Sequence, residues 1–284
     1  MKNVKLIALD LDGTLLMSDH WTVHERNIEA IRRAHAAGIK VCICTGRMLE
    51  DASDFCRRLG LPCMLIACNG TRAADGLIPG ADIFYRQQFA SADAHAVVDI
   101  LVQTGLMFST FEDGCIATRR SADGEEYHLA KRKIVKTLYG EDNVRAAVER
   151  GIMKIYAVGQ AEELEQIEAI RVQIRKQLPH LQVTNSSPLN IEVMPPDAGK
   201  GIALQAMAQY LGLERNQVMA MGDAHNDLNM LEYAVHSVAM GNAVDDVKRI
   251  CRYVTATNDE AGVGQMIERV LCEQGVDLAE YSEE

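Results

Sequence analysis

Four short polar clusters stand out in the 284-residue chain, each directly after an apolar run. They are Asp10-Leu11-Asp12-Gly13-Thr14, Thr45-Gly46-Arg47, Asn69-Gly70 and Gly222-Asp223-Ala224-His225-Asn226-Asp227. In an extended segment residues i and i+2 point the same way, so Asp10 and Asp12 can face one reaction centre. One carboxylate there can attack while the other handles a proton. Gly13 permits a tight turn behind them. The Thr45 hydroxyl and nearby backbone N–H groups suit phosphoryl oxygens. Lys200, at a helix start after Gly199, adds a point cation for the same oxygens. Asp10, Asp12, Asp223 and Asp227 cannot share a pocket unless a cation cancels their charge. An all-oxygen donor set favours a hard divalent ion, and Mg²⁺ is the usual choice beside phosphate. Phosphoryl transfer needs little more than such positioning and charge stabilisation.

The elements that must carry these residues are legible as apolar runs. Val4–Leu9, Val41–Cys44, Met64–Ala67, Val218–Met221, Ser237–Met240 and Tyr253–Thr255 read as parallel strands buried on both faces. Helical stretches lie between them. Thr22 and Glu25 form a capping-box pattern ahead of Ile28, Ile31 and Ala34, with Gly38 as the stop. Val263, Met266, Ile267, Val270 and Leu271 make a helical stripe near the C-terminus. Alternating strands and helices give an α/β fold built on a Rossmann-like parallel sheet. Ligands of such sheets bind beyond the carboxyl ends of the strands, where all four clusters fall.

The middle of the chain reads differently. Asn69-Gly70, Asp75-Gly76 and Pro79-Gly80 are turn signals that favour a hairpin over a crossover. A helix at Ala92–Val102, a hairpin over Phe108–Arg119 turning at Asp113-Gly114, a strand at Lys154–Val158 and a helix at Glu162–Gln177 follow. Gln182–Thr184 and Asn190–Met194 suit a closing strand pair, and Pro195-Pro196 a stiff linker. The expectation is an inserted α+β domain at 85–189 and a discontinuous core of 1–84 and 190–284.

Asp10-Leu-Asp-Gly-Thr, Thr45-Gly-Arg, Gly199-Lys200-Gly201 and Gly222-Asp-x-x-Asn-Asp227, in that order, resemble the four motifs of the haloacid dehalogenase superfamily. Asn69-Gly70, Met240-Gly241-Asn242-Ala243 and Asn258-Asp259-Glu260-Ala261-Gly262-Val263 resemble its Cof-type sugar-phosphatase-like hydrolases. Thr45 follows Asp10 by only 35 residues, whereas Lys200 follows Thr45 by 155, so the resemblance places a cap domain in the second interval. It implies an Mg²⁺-dependent phosphatase of small phosphorylated metabolites, working through an aspartyl-phosphate. Asp10 is then the nucleophile and Asp12 the acid and base. Leu11, Thr45, Gly46, Lys200 and Asn226 hold phosphate, the first and third through backbone N–H groups. Asp10, Asp12 (by its carbonyl), Asp223 and Asp227 surround the metal, and Arg47 and Asn69 lie at the substrate edge. Alternatives are a phosphomutase of the same superfamily and a non-enzymatic phospho-aspartate signalling module. Asp12, as a proton handler, argues against the second. Selectivity would lie in the inserted domain, where Arg119, Arg120, Lys131 and Lys133 are charged candidates.

Composition excludes other classes. The formal charge of −11 disfavours nucleic acid or anionic membranes as partners. No apolar run approaches the roughly 18–20 residues that span a bilayer. The eight cysteines form no Cys-x-x-Cys pair and suit a reducing compartment, so the expected location is cytoplasmic. Oligomeric state and the identity of the phosphorylated metabolite do not follow from the residues.

Overall fold

A computed structural model describes residues 1–119 and 134–277. Arg120, Lys131 and Lys133 lie outside the described residues. The chain divides into two compact units. One comprises Met1–Arg47, Ala52–Tyr85 and the chain from Gly199; the other comprises Met48–Asp51 and Arg86–Ala198.

The first unit holds an eight-stranded sheet among the described residues. Its strands are β1 (Leu6–Asp10), β2 (Lys40–Cys44), β3 (Cys63–Ala67), β4 (Arg72–Asp75), β5 (Asp82–Arg86), β12 (Val218–Gly222), β13 (His236–Ala239) and β14 (Tyr253–Val254). The order is β14-β13-β12-β1-β2-β3-β4-β5. β1 pairs in parallel with β2 on one side and β12 on the other, with Leu9 opposite both Ile43 and Met221. The chain therefore reverses its direction of travel across the sheet at β1, where such folds place their ligands. Every residue of β1, β3 and β12 is buried. Covering both faces removes them from water, at roughly 1.5–3 kcal/mol for each large aliphatic side chain.

Two helices packed on each other show how pattern becomes contact. Helix α1 (Glu25–Ala36) buries Asn27, Ala30, Ile31 and Ala34. The C-terminal helix Gly262–Glu273 buries Val263, Met266, Ile267, Val270 and Leu271. The Asn27 amide oxygen accepts the Gly264 N–H at 2.8 Å between them. The expected capping box of Thr22 and Glu25 does not form. His24 caps α1 through Nδ1, 3.2 Å from the Arg26 nitrogen, because Thr22 is engaged by Asp19. The turn signals at 69–70 correspond to the antiparallel β3–β4 pair.

The second unit holds a six-stranded sheet among the described residues. It contains β6 (Met107–Glu112), β7 (Cys115–Thr118), β8 (Lys136–Tyr139), β9 (Lys154–Val158), β10 (Gln182–Thr184) and β11 (Asn190–Met194), in the order β10-β11-β9-β6-β7-β8. Helices Ser91–Thr104, Glu141–Arg150 and Leu164–Gln177 share one apolar core with it, including Val97, Leu101, Val148, Ile155, Ile167 and Ile191. β11 pairs antiparallel with β9, Ile191 facing Ala157. That pairing carries the unit to Ala198, so the expected boundary at 189 falls nine residues short of the observed one. No helix among the described residues is long and apolar enough to cross a membrane.

Candidate active site

The clusters read from sequence meet at the carboxyl edge of the first sheet. Asp10 closes β1 and is 5% exposed. Lys200 opens the helix Lys200–Tyr210 and is fully buried. Its ammonium donates to Asp10 Oδ1 at 2.5 Å and to Asp227 Oδ1 at 2.6 Å. The point cation expected at this helix start thus bridges two carboxylates. Asp227 is also fully buried, and its other oxygen accepts the backbone N–H groups of Asp223 and Ala224 at 3.0 and 3.1 Å. Asp223, just past β12, accepts the Thr14 hydroxyl at 2.9 Å.

Oxygens of Asp10, Asp223 and Asp227 lie within 4.8 Å of one another. One ammonium thus bridges two buried carboxylates, with the half-buried Asp223 carboxylate close by. The Asp10 carboxyl is pushed well above the usual carboxylate range, by burial first and then by Asp227, although Lys200 opposes this. Asp223 is pushed up to about 7 by burial and by Asp227, against the Thr14 hydrogen bond. Burial opposes the charge of Lys200, but Asp10 and Asp227 outweigh it and raise its pKa above the ordinary lysine value. The pocket has a surplus of negative charge and an all-oxygen donor set. That combination fits a hard divalent cation such as Mg²⁺.

Tight backbone packing holds the lysine in place. Gly70, at φ +91°, lies so close to Gly199 that a Cβ there would sit 2.2 Å from the Gly199 carbonyl oxygen. Any side chain at 70 would push the start of the Lys200 helix away. The Asn69 N–H donates to the Thr45 carbonyl at 3.0 Å, and the Cys68 N–H to that of Arg47 at 2.8 Å. The loops after β2 and β3 are thereby joined to each other and to the lysine. Thr45 is buried, and its hydroxyl accepts the Arg47 N–H at 3.1 Å. Asn226 Nδ2 lies 3.5 Å from Asn69 Oδ1. Gly46 lies between Thr45 and Arg47, and Leu11 is fully buried directly after Asp10.

Asp12 stands apart from the three-carboxylate cluster. Its side chain, 42% exposed, is gripped through both oxygens by Arg47, with Nε to Oδ2 at 3.0 Å and Nη2 to Oδ1 at 2.5 Å. A profile of haloacid dehalogenase-like hydrolases matches residues 7–267 of this arrangement. The chain belongs to that family.

Its relatives are named for phosphate removal. The chain is 32% identical over 293 residues to a 5-amino-6-(5-phospho-D-ribitylamino)uracil phosphatase of Bacillus subtilis, covering 95% of this chain and 99% of the relative. It is 30% identical over 295 residues to phosphatase YwpJ of the same organism, covering 94% and 100%. Among solved structures, a haloacid dehalogenase-like hydrolase from B. subtilis superposes with a TM-score of 0.82 at 29% identity, covering 94% of this chain and 100% of the other.

In this hydrolase the structure adds residues to which the motifs alone gave no role. Thr14 belongs to the first motif, and its hydroxyl is spent on Asp223. Asn229, two positions past Asp227, accepts the Gly201 N–H at 2.9 Å and ties the fourth motif to the lysine helix. A Cβ on Gly201 would meet the Asn229 carbonyl at 2.2 Å, so the two segments are in close backbone contact. His225 pairs with Asp246 at 3.1 Å at the surface, consistent with no role in the pocket.

Proposed function

We propose that this hydrolase is a phosphatase of small phosphorylated metabolites, sugar phosphates or similar, that works through an aspartyl-phosphate on Asp10. The observation that carries the reading is the buried Lys200 ammonium bonded to both Asp10 and Asp227 amid three carboxylates. An anionic cluster of this kind is costly unless the ligand it awaits brings compensating charge.

In the first half-reaction an oxygen of Asp10 bonds to phosphorus and the ester oxygen departs, taking a proton from Asp12. In the second, Asp12 takes a proton from water as that water attacks phosphorus, and the bond from phosphorus to Asp10 breaks. Both steps displace through a charged transition state, so positioned donors matter most. Lys200, the Thr45 hydroxyl, Asn226 and the backbone N–H groups of Leu11 and Gly46 are the proposed donors to the phosphoryl oxygens. Arg47 and Asn69 lie at the proposed substrate edge, and Asp12 leaves its pair with Arg47 to carry the proton. Mg²⁺ would be held by Asp10, the Asp12 carbonyl, Asp223 and Asp227, and when bound supplies positive charge against the phosphoryl group. The inserted second unit is proposed to carry selectivity for the leaving group.

The test is phosphate release from para-nitrophenyl phosphate and from a panel of sugar phosphates, nucleotides and pyridoxal phosphate, with and without Mg²⁺. Turnover that requires Mg²⁺ and disappears in Asp10→Asn is expected. Full turnover by Asp10→Asn would overturn the nucleophile assignment.

A further inference from the structure

Two motifs in the C-terminal part of the chain, around Asn242 and Asn258, have no part in the chemistry above. Each reaches back more than two hundred residues to the segment behind the nucleophile. Asn242 Nδ2 donates to the Gly13 carbonyl at 2.8 Å. Asn258 Nδ2 donates to the Leu16 carbonyl at 2.8 Å. The two asparagines are joined, since the Asn258 N–H donates to Asn242 Oδ1 at 3.1 Å. Asn258 is 4% exposed, so its bond to Leu16 is shielded from water.

The segment they hold is irregular. Leu11–Leu15 forms one wide turn in which Asp12 (φ −84°, ψ 113°) and Gly13 (φ +87°) leave helical geometry. The Leu16 N–H returns to the Leu11 carbonyl at 2.8 Å. Such a turn has few ladder bonds of its own, so outside partners must define it. The same C-terminal region also fixes the other side of the pocket. The Val244 N–H donates to the Asp223 carbonyl at 3.0 Å, two residues from Asn242. The asparagine mount is itself backed by close backbone packing. A Cβ on Gly262 would sit 2.2 Å from the Ala256 carbonyl, and the Gly241 N–H donates to that carbonyl at 3.0 Å.

We infer that Asn242 and Asn258 are positioning residues that clamp the turn directly after Asp10, which carries Asp12 and Thr14, in its reactive geometry. They act on the reaction only through that turn. The inference rests on the reading of Asp10 and Asp12 as the reacting carboxylates. A displacement of about 1 Å at such a centre costs as much as ~10²-fold in rate.

Asn242→Asp separates the two bonds of Asn242. It keeps an acceptor for the Asn258 N–H and loses the donor to Gly13. Asn258→Asp loses the donor to Leu16. Each variant is expected to lower kcat for para-nitrophenyl phosphate about 10- to 100-fold while KM stays within about threefold. Amide hydrogen exchange over residues 12–17 is expected to rise in the folded protein, with the sheet unchanged. Ser18→Ala removes an exposed hydroxyl 2.6 Å from Asp259 farther along the chain and is the reference, expected to keep wild-type kcat. Unchanged exchange in both asparagine variants would overturn the clamp. Raised exchange with wild-type kcat would overturn its role in positioning. The exchange arm needs no catalysis, so it judges the clamp even if Asp10→Asn keeps full turnover and the reaction itself is misread.

Discussion

Two buried lysines, one in each unit, form short ion pairs in very different company. Lys154 in β9 lies 2.5 Å from Glu192 in β11, with the rings of Phe111 and Tyr156 at 5.6 and 5.5 Å from its nitrogen. The other Glu192 oxygen accepts the Ser186 hydroxyl at 2.7 Å. Among the described contacts, this ammonium pairs with one carboxylate beside two aromatic faces, and a hydroxyl donates to that carboxylate. Lys200 is as deeply buried, but it faces three clustered carboxylates. Around Lys200 the carboxyl groups outnumber the ammonium, a donor set that fits a hard divalent cation. The number of carboxyl groups gathered near the ammonium, more than burial or bond length, distinguishes the two described clusters.

The comparison breaks most decisively at the nucleophile. Asp10→Asn should lower phosphate release by ~10³-fold or more. Removal of the cation comes next. Lys200→Met should lower kcat/KM by about 10²–10³-fold, as a lost transition-state donor does. The corresponding change in the other unit should read out in stability. Lys154→Met takes the ammonium away from the buried Glu192 carboxylate, at a cost of about 3–5 kcal/mol in denaturant unfolding. Lys154→Met combined with Glu192→Leu should recover most of that loss, and kcat of the folded fraction should be unchanged.

Metal addition sharpens the contrast. Mg²⁺ should raise the thermal midpoint of chelator-treated protein, and Asp223→Asn should abolish the rise. The smallest effect is on pH. With the folded-state value of Asp223 near 7 and its ordinary value 3.8, the metal-free fold keeps a proton that the unfolded chain releases. The Asp223 contribution to the stability of that form should therefore fall as pH rises from about 4 to about 7, opposite to that of a salt-bridged carboxylate. The stability difference between wild type and Asp223→Asn isolates this group, and a difference that grows in favour of wild type as pH rises over this range would contradict the placement of Asp223 beside Asp227.

Much of this was readable in the residues because strand ends and turns are local. Buried runs located β1, β2, β3 and β12, and parallel order then forces their carboxyl ends to one edge. The hairpins at 69–70 and 113–114 were visible from Gly, Asn and Asp turn chemistry. Long-range choices were not visible. The pattern of Asn190–Met194 reads as a strand but does not say which sheet it joins, and its pairing with β9 puts it in the second unit. The grip of Arg47 on Asp12 and the reach of Asn242 and Asn258 to the first motif join residues far apart in sequence. Spacing along the chain carries no record of them. The cap of α1 was misplaced because Thr22 found a closer partner in Asp19 than in the helix end.

The account turns on a covalent bond between Asp10 and phosphorus. Acid quenching during turnover, followed by borohydride reduction and peptide mass spectrometry, reads that bond directly. Conversion of residue 10 to homoserine, dependent on substrate, is the predicted result. Phosphate release with Asp10 unmodified at every time point, or reduction at another residue, would contradict it.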